Sequence, residues 1–229
     1  MGNKQKHKQA SFKDFLNELK SKTVLEPKQI DKFEERRYFL IVTEGERTEP
    51  IYFNHFKSYL PKELLETIEI SGEGDNTINV VKKAIELRNL RNASFKPKYD
   101  EVWAIYDKDD FPDNRFDSAV SLAKRENIKS GHSNQSFELW YLLHFQYLTS
   151  ALHRGDYIKL LSKNLGFKYE KNDTQVVNHL FQKCNIKQAI AWAKRLEEMH
   201  IGKSPSQSCP STKVHELIEK LLSYCDINP

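Results

Sequence analysis

"YFLIVTEGERTEPIYFNHF", Tyr38 to Phe56, decides the fold of this chain. Tyr38, Phe39, Leu40, Ile41 and Val42 are consecutive apolar residues of the kind that form a strand buried on both faces. Thr43-Glu44-Gly45-Glu46-Arg47-Thr48-Glu49-Pro50 follows at once, and "TEPIYFNHFKSYL" has helical character. A buried strand therefore ends in carboxylates and a glycine at the point where a helix begins.

Outward from this stretch the same alternation repeats. "TIEISGEG" reads as a short strand entering a Gly-rich turn, and "TINVVKKAIELRNLR" as a helix with Ile78, Val81, Ala84 and Ile85 on one face and Thr77 as N-cap. "DEVWAIYDKDD" is a second buried-type strand. "FDSAVSLAKREN" spaces Phe116, Ala119, Val120 and Ala123 as a helix, and "FELWYLLHFQYL" is apolar nearly all round, as a buried helix is. Strands alternating with helices predict an α/β fold with a mostly parallel sheet flanked by helices. From about Gln146 strand signals stop, and "DYIKLLSKN", "NHLFQKC", "IKQAIAWAKRLEEM" and "TKVHELIEKLLSY" are helical. "KSPSQSCPST", Lys203 to Thr212, reads as a linker or ligand-facing loop. The expected organisation is a basic extension over 1–36, with a docking helix around Phe12, Phe15, Leu16 and Leu19, an α/β domain over 37–147, and a helical C-terminal region over 148–229 packed on it.

Bulk composition narrows the class. The 229 residues are 38% hydrophobic and 30% charged, with 13 Phe and 10 Tyr to fill a core, which suits a soluble globular protein. No apolar run approaches the roughly 20 residues that span a bilayer. The polar opening "MGNKQKHKQASFKDF" lacks the apolar stretch of a secretory signal. Cys184, Cys209 and Cys225 have neither CxxC nor zinc spacing, so reduced thiols in a cytoplasmic protein are expected. Net charge is a mild +4, but between Gln146 and Lys203 ten Lys and Arg face five Asp and Glu. That stretch, with Lys159, Lys163 and Lys187, suits nucleic-acid phosphates or a partner surface, or equally a solvated helical face.

Ligands of parallel sheets sit outside the carboxyl ends of the strands. Glu44 stands at one such end, and Asp107 and Asp109 at the other, on one side if the strand continues. Carboxylates so placed repel one another unless a cation lies between them. Their oxygens suit Mg²⁺ or Mn²⁺. Glu46, Glu49 and Asp110 are at hand to widen the site to two metals, although Glu46, Glu49 and Asp113 equally suit the first turn of a helix. Glu138, opening the apolar helix, is a ligand, a general base or a helix-start acid. His132 and His144 are expected to be structural, and Trp103, Trp140 and Trp192 to be core. "SGEGDNT" lacks the Gly-Lys-Ser/Thr of a P-loop.

A strand ending in Glu-Gly and a later one ending in Asp-x-Asp resemble the TOPRIM pattern. "LIVTEGERTEPIYFNHF", "DEVWAIYDKDDFPDNRFDSAVSLAK", "SNQSFELWYLLHF" and "PSTKVHELIEKL", in that order, resemble the RloB-like family. The resemblance implies a TOPRIM-like core and a Mg²⁺-dependent nuclease acting in anti-phage abortive infection beside an ABC- or AAA-type ATPase. By position, Glu44 is the first-motif glutamate, Asp107 and Asp109 are the paired aspartates, and Glu138 matches a family acid. The expectation is phosphodiester hydrolysis of DNA or RNA, tRNA included. The competing expectation is a catalytically weak TOPRIM-like module that docks on an ATPase.

Overall fold

The computed structural model describes residues 37–60, 68–72 and 76–223. The expected docking helix in 1–36, residues 73–75 of the "SGEGDNT" turn, and Cys225 lie outside them. Strands β1 (Phe39–Thr43), β2 (Ile68–Gly72), β3 (Glu101–Ile105) and β4 (Lys129–Ser130) form one sheet in the order β2-β1-β3-β4, every pairing parallel. All five residues of β1 are buried, as its unbroken apolar run requires.

Alternation along the strands sorts the core into two layers. Phe39, Ile41, Trp103 and Ile105 face one side; Leu40, Val42, Val102 and Ala104 face the other. Helices α2 (Thr77–Asn92) and α3 (Asp113–Arg125) cover the second face through Val80, Val81, Ala84, Phe116, Ala119 and Ala123. Helix α1 (Thr48–Lys57) covers the first. It is joined there by α4 (Glu138–Leu142), α5 (Arg154–Leu165), α6 (Thr174–Lys183), α7 (Ile186–Met199) and α8 (Val214–Ser223). Tyr52 of α1 packs its ring against Phe137, Trp140, Tyr141 and Phe181 at centroid distances of 5.4 to 6.4 Å. The helices after residue 148 therefore share a core with the sheet. Among the described residues no helix is long and apolar enough to cross a membrane.

Several local expectations change. The N-cap of α2 is Asn76, and Thr77 instead donates from Oγ1 to the Asp107 carbonyl at 3.2 Å. Val80 takes the inner position, while Ile78 and Ile85 are only half-buried. The apolar run after Phe137 is a five-residue helix, buried throughout. Strand pairing also returns late in the chain. Ser211–Thr212 (β6) pairs antiparallel with Ser133–Asn134 (β5), and Ser206 donates from N and Oγ to the Asp117 carboxylate at 2.9 and 2.8 Å. "KSPSQSCPST" is thus folded onto α3, because its polar groups find fixed partners there, and it does not act as a linker.

Gly72, the last residue of β2, shows how tightly the strand ends meet. A Cβ there would stand 2.8 Å from the Gly45 carbonyl oxygen and 2.9 Å from Glu46 Cα, both of them backbone. Gly72→Ala should cost about 1–3 kcal/mol in denaturant unfolding, since main chain has to move. A loss within measurement error would show that the β1 and β2 ends are not so constrained.

Candidate functional site

After β1 the chain goes to β2 on one side, then crosses β1 to reach β3 on the other. The crevice of a parallel sheet opens at such a reversal, beyond the carboxyl ends of β1 and β3. Both acidic stretches empty into it. The Glu44 amide donates to the Ile105 carbonyl at 2.8 Å, and the Asp107 amide donates to Glu44 Oε2 at 2.8 Å. The Glu44 side chain thereby ties the end of β1 to the end of β3. Asp107 does not continue β3. It bridges to Ser133, and its Oδ2 accepts from the Phe137 amide at 2.9 Å. Asp109 lies in the left-handed region, φ 45°, which short polar side chains tolerate. Strand alternation therefore does not place Asp109; a turn does.

Glu138 is the first residue of α4 and is buried. Its Oε2 accepts from Ser136 Oγ at 2.6 Å, and its Oε1 accepts from Tyr169 Oη at 3.0 Å and lies 3.6 Å from Lys171 Nζ. Glu49, in the first turn of α1, is buried against Gly45, where a Cβ would stand 2.0 Å from Glu49 Oε2. Gly45, lacking a side chain, leaves room for that carboxylate. Glu44, Glu49, Asp107, Asp109, Glu138 and Lys171 line one cleft of about 550 Å³.

Burial governs the electrostatics. It raises the Glu44 carboxyl to about 7, opposed by the Asp107 amide and reinforced by Asp109 and Glu49. Burial, then the charge of Glu138, raises Glu49 to about 7 against its own and the Gly45 amides. Asp107 is held well above the usual carboxylate range by burial and then by Glu49, Glu138, Asp109 and Glu44. Crowded hard oxygens that bind protons this tightly are the donor set that Mg²⁺ or Mn²⁺ takes. Glu44, Glu49, Asp107, Asp109 and Glu138 are the residues that could hold such an ion. They are set more openly than the one tight triad among the described residues, Glu197, His215 and Glu216, whose ligand atoms all lie within 4.8 Å. There Lys213 already pairs with both glutamates.

The structure brings Glu44, Glu49, Asp107, Asp109 and Glu138 together, with Glu46 at the exposed edge. It does not bring Asp110, which points outward to Arg154 at 2.8 Å and His153 at 3.5 Å. Asp113 serves the first turn of α3 and pairs with Lys108 at 3.0 Å. Lys159 pairs with Asp156 at 2.9 Å, and neither it nor the exposed Lys163 and Lys187 lines the cleft. Burial pushes His132 down to about 4 and His144 to about 3, so both are neutral structural groups. Trp103 and Trp140 are core, and Trp192 is partly buried against it. Sequence reasoning missed Arg47, Lys171 and Asn172 of the cleft wall, Tyr169, and Arg154, which holds Asp109 at 2.7 Å. Tyr169, Lys171 and Asn172 sit in "YEKND", a polar turn between helices, which carries no signal of what it faces.

A family model described as RloB-like protein matches residues 39–221. No curated protein and no solved structure matches the chain.

The cleft imposes a pH dependence. A carboxyl raised from its ordinary 4.5 to about 7 favours the folded state fully below pH 4.5, and that contribution is lost as pH rises through 7. For Glu44 this is on the order of 3 kcal/mol, each tenfold change in proton affinity being about 1.4 kcal/mol. In chelator, the melting temperature should fall between pH 5 and pH 8. Glu44→Gln should flatten that slope, and Mg²⁺ should raise the melting temperature most at pH 8. A slope unaltered by Glu44→Gln would contradict this account.

Proposed function

The chain belongs to the RloB-like family, and from that premise we propose that it is a Mg²⁺- or Mn²⁺-dependent nuclease with its centre in the carboxylate cleft. The observation that carries this is the convergence of five acids, from three separate stretches, at the reversal point of a parallel sheet. No ordinary folding need accounts for so much desolvated negative charge in one place.

Glu44, Asp107 and Asp109 would hold the ion, with Glu49 and Glu138 completing or widening the site. A bound divalent ion would polarise a phosphodiester and lower the pKa of a water. The chain's own groups do the positioning. The Phe137 amide and the Asp107 amide fix one oxygen each of Asp107 and Glu44. Ser136 and Tyr169 fix Glu138, and Arg154 fixes Asp109. Arg47 and Lys171 supply positive charge for a phosphate backbone at the same wall. The family resemblance extends the proposal to a defence effector controlled by an ATPase partner. The pairing of Glu138 with Lys171 and of Asp109 with Arg154 favours a second reading, a charge-satisfied cleft that binds or regulates without turnover.

The test is cleavage of plasmid, single-stranded DNA and total tRNA by the purified chain with Mg²⁺ or Mn²⁺. Asp107→Asn keeps an acceptor for the Phe137 amide while removing charge, so it should lower cleavage at least about 100-fold. It should leave stability unchanged or up to about 1 kcal/mol higher. Cleavage that survives Asp107→Asn, or none on any substrate, would move the assignment to the regulatory reading. Charge reversal at Lys159, Lys163 or Lys187 should weaken nucleic-acid binding and flatten its salt dependence. Unaltered salt slopes in all three would exclude the C-terminal helices as the phosphate-binding surface.

A further inference from the structure

Lys171 and Arg47 are the cations that line the cleft among the described residues. The two are differently placed, because Lys171 has its ammonium 3.6 Å from Glu138 Oε1. Its charge acts on Glu44 and Glu49 as well, and its own charged form is held by Glu138, Asp107, Asp109 and Glu49 in turn. The backbone that carries it is anchored on both sides. Tyr169 donates from N to Ser162 Oγ at 2.9 Å and from Oη to Glu138 at 3.0 Å. Asn172, at φ 73°, accepts from Thr48 Oγ1 at 3.2 Å. Asp173 caps α6 by accepting from the Gln175 amide at 2.8 Å. Yet the Lys171 side chain is 59% exposed. It is an exposed charge on a fixed base, reaching Glu138, a carboxylate that would ligate an ion.

We propose that Lys171 is the built-in counter-cation of the cleft: its ammonium and a divalent ion compete for Glu138 and the neighbouring carboxylates, so Lys171 sets the metal affinity of the site. This rests on reading the carboxylates as a metal centre. The exposed ammonium on its four-carbon stem can leave buried Glu138 at little cost when a divalent ion takes its place there. Once displaced it remains at the open side of the cleft, available to an anionic ligand. The sign of the effect separates this role from a structural one. A lysine that merely pinned the 166–173 turn over Glu138 would, on removal, loosen the site and weaken metal binding. A competitor, on removal, strengthens it.

The experiment is calorimetric titration of Mn²⁺ into the full chain, without nucleic acid, for wild type, Lys171→Met and Lys171→Arg. Lys171→Met should bind Mn²⁺ about five- to tenfold more tightly, and Lys171→Arg should stay within about twofold of wild type. Unfolding curves in chelator confirm that both variants are folded. Equal or weaker binding by Lys171→Met, with wild type binding normally, overturns the role of Lys171 and leaves the metal centre standing. A wild-type chain that binds no Mn²⁺ overturns the metal centre and this inference with it. Tightening by both variants would show that the lysine acts through its shape and not its charge, and would also overturn it.

Discussion

A carboxylate that leaves water has to find donors or a cation, and at the carboxyl end of this sheet five of them line one cleft, three of them buried. The chain meets part of that demand with its own hydrogen bonds. The Asp107 amide serves Glu44, the Phe137 amide serves Asp107, and Ser136 and Tyr169 serve Glu138. These bonds hold some of the oxygens, but burial first, and the mutual repulsion of the acids after it, make Glu44, Glu49 and Asp107 all bind protons more tightly than carboxyls in water. A site with this electrostatic debt takes up whatever positive charge is at hand: protons, Lys171, Arg154 or a divalent ion.

The position of that site follows from the sheet. β1 is buried on both faces and flanked by β2 and β3, so its only open direction is along its axis, past Thr43. The reversal of strand order at β1 keeps the connections from covering that end. Close approach then does the rest. Gly45 leaves space for the Glu49 carboxylate, and Gly72 lets the end of β2 press on the backbone of the turn. A larger residue at Gly72 would push backbone apart, and one at Gly45 would displace the Glu49 carboxylate.

The helices after residue 148 are part of this arrangement. Phe181 of α6 reaches Tyr52 of α1, with ring centroids 5.4 Å apart, and the turn between α5 and α6 supplies Lys171 and Asn172 to the cleft and the Tyr169 hydroxyl to Glu138. Arg154, at the start of α5, fixes Asp109. Movement of these helices on the sheet face would alter the charge balance of the cleft without touching the strands that bear its acids.

Much of this was legible in the sequence because it is local. An unbroken apolar run such as Phe39–Val42 has to be buried on both sides, which predicts a parallel sheet, and the residue that follows such a strand has to lie at its open end, which singles out Glu44 and Asp107. Glu138 stood out as an acid opening an apolar helix, open between a ligand, a general base and a helix-start charge. The rest depended on contacts between residues far apart in the chain. Nothing in "YEKND" says that its lysine faces Glu138, thirty-three positions earlier. Asp109 and Asp110 are adjacent and chemically alike, but the left-handed turn at Asp109 directs one to the cleft and leaves the other on the surface. The two-residue β6 is too short for any periodicity and exists because Ser133 and Asn134 offer it an edge. Burial pattern and strand ends are properties of sequence order. Which cation balances which carboxylate is a property of the packed chain, because Coulomb interactions depend on distance in space and on the water that folding removes.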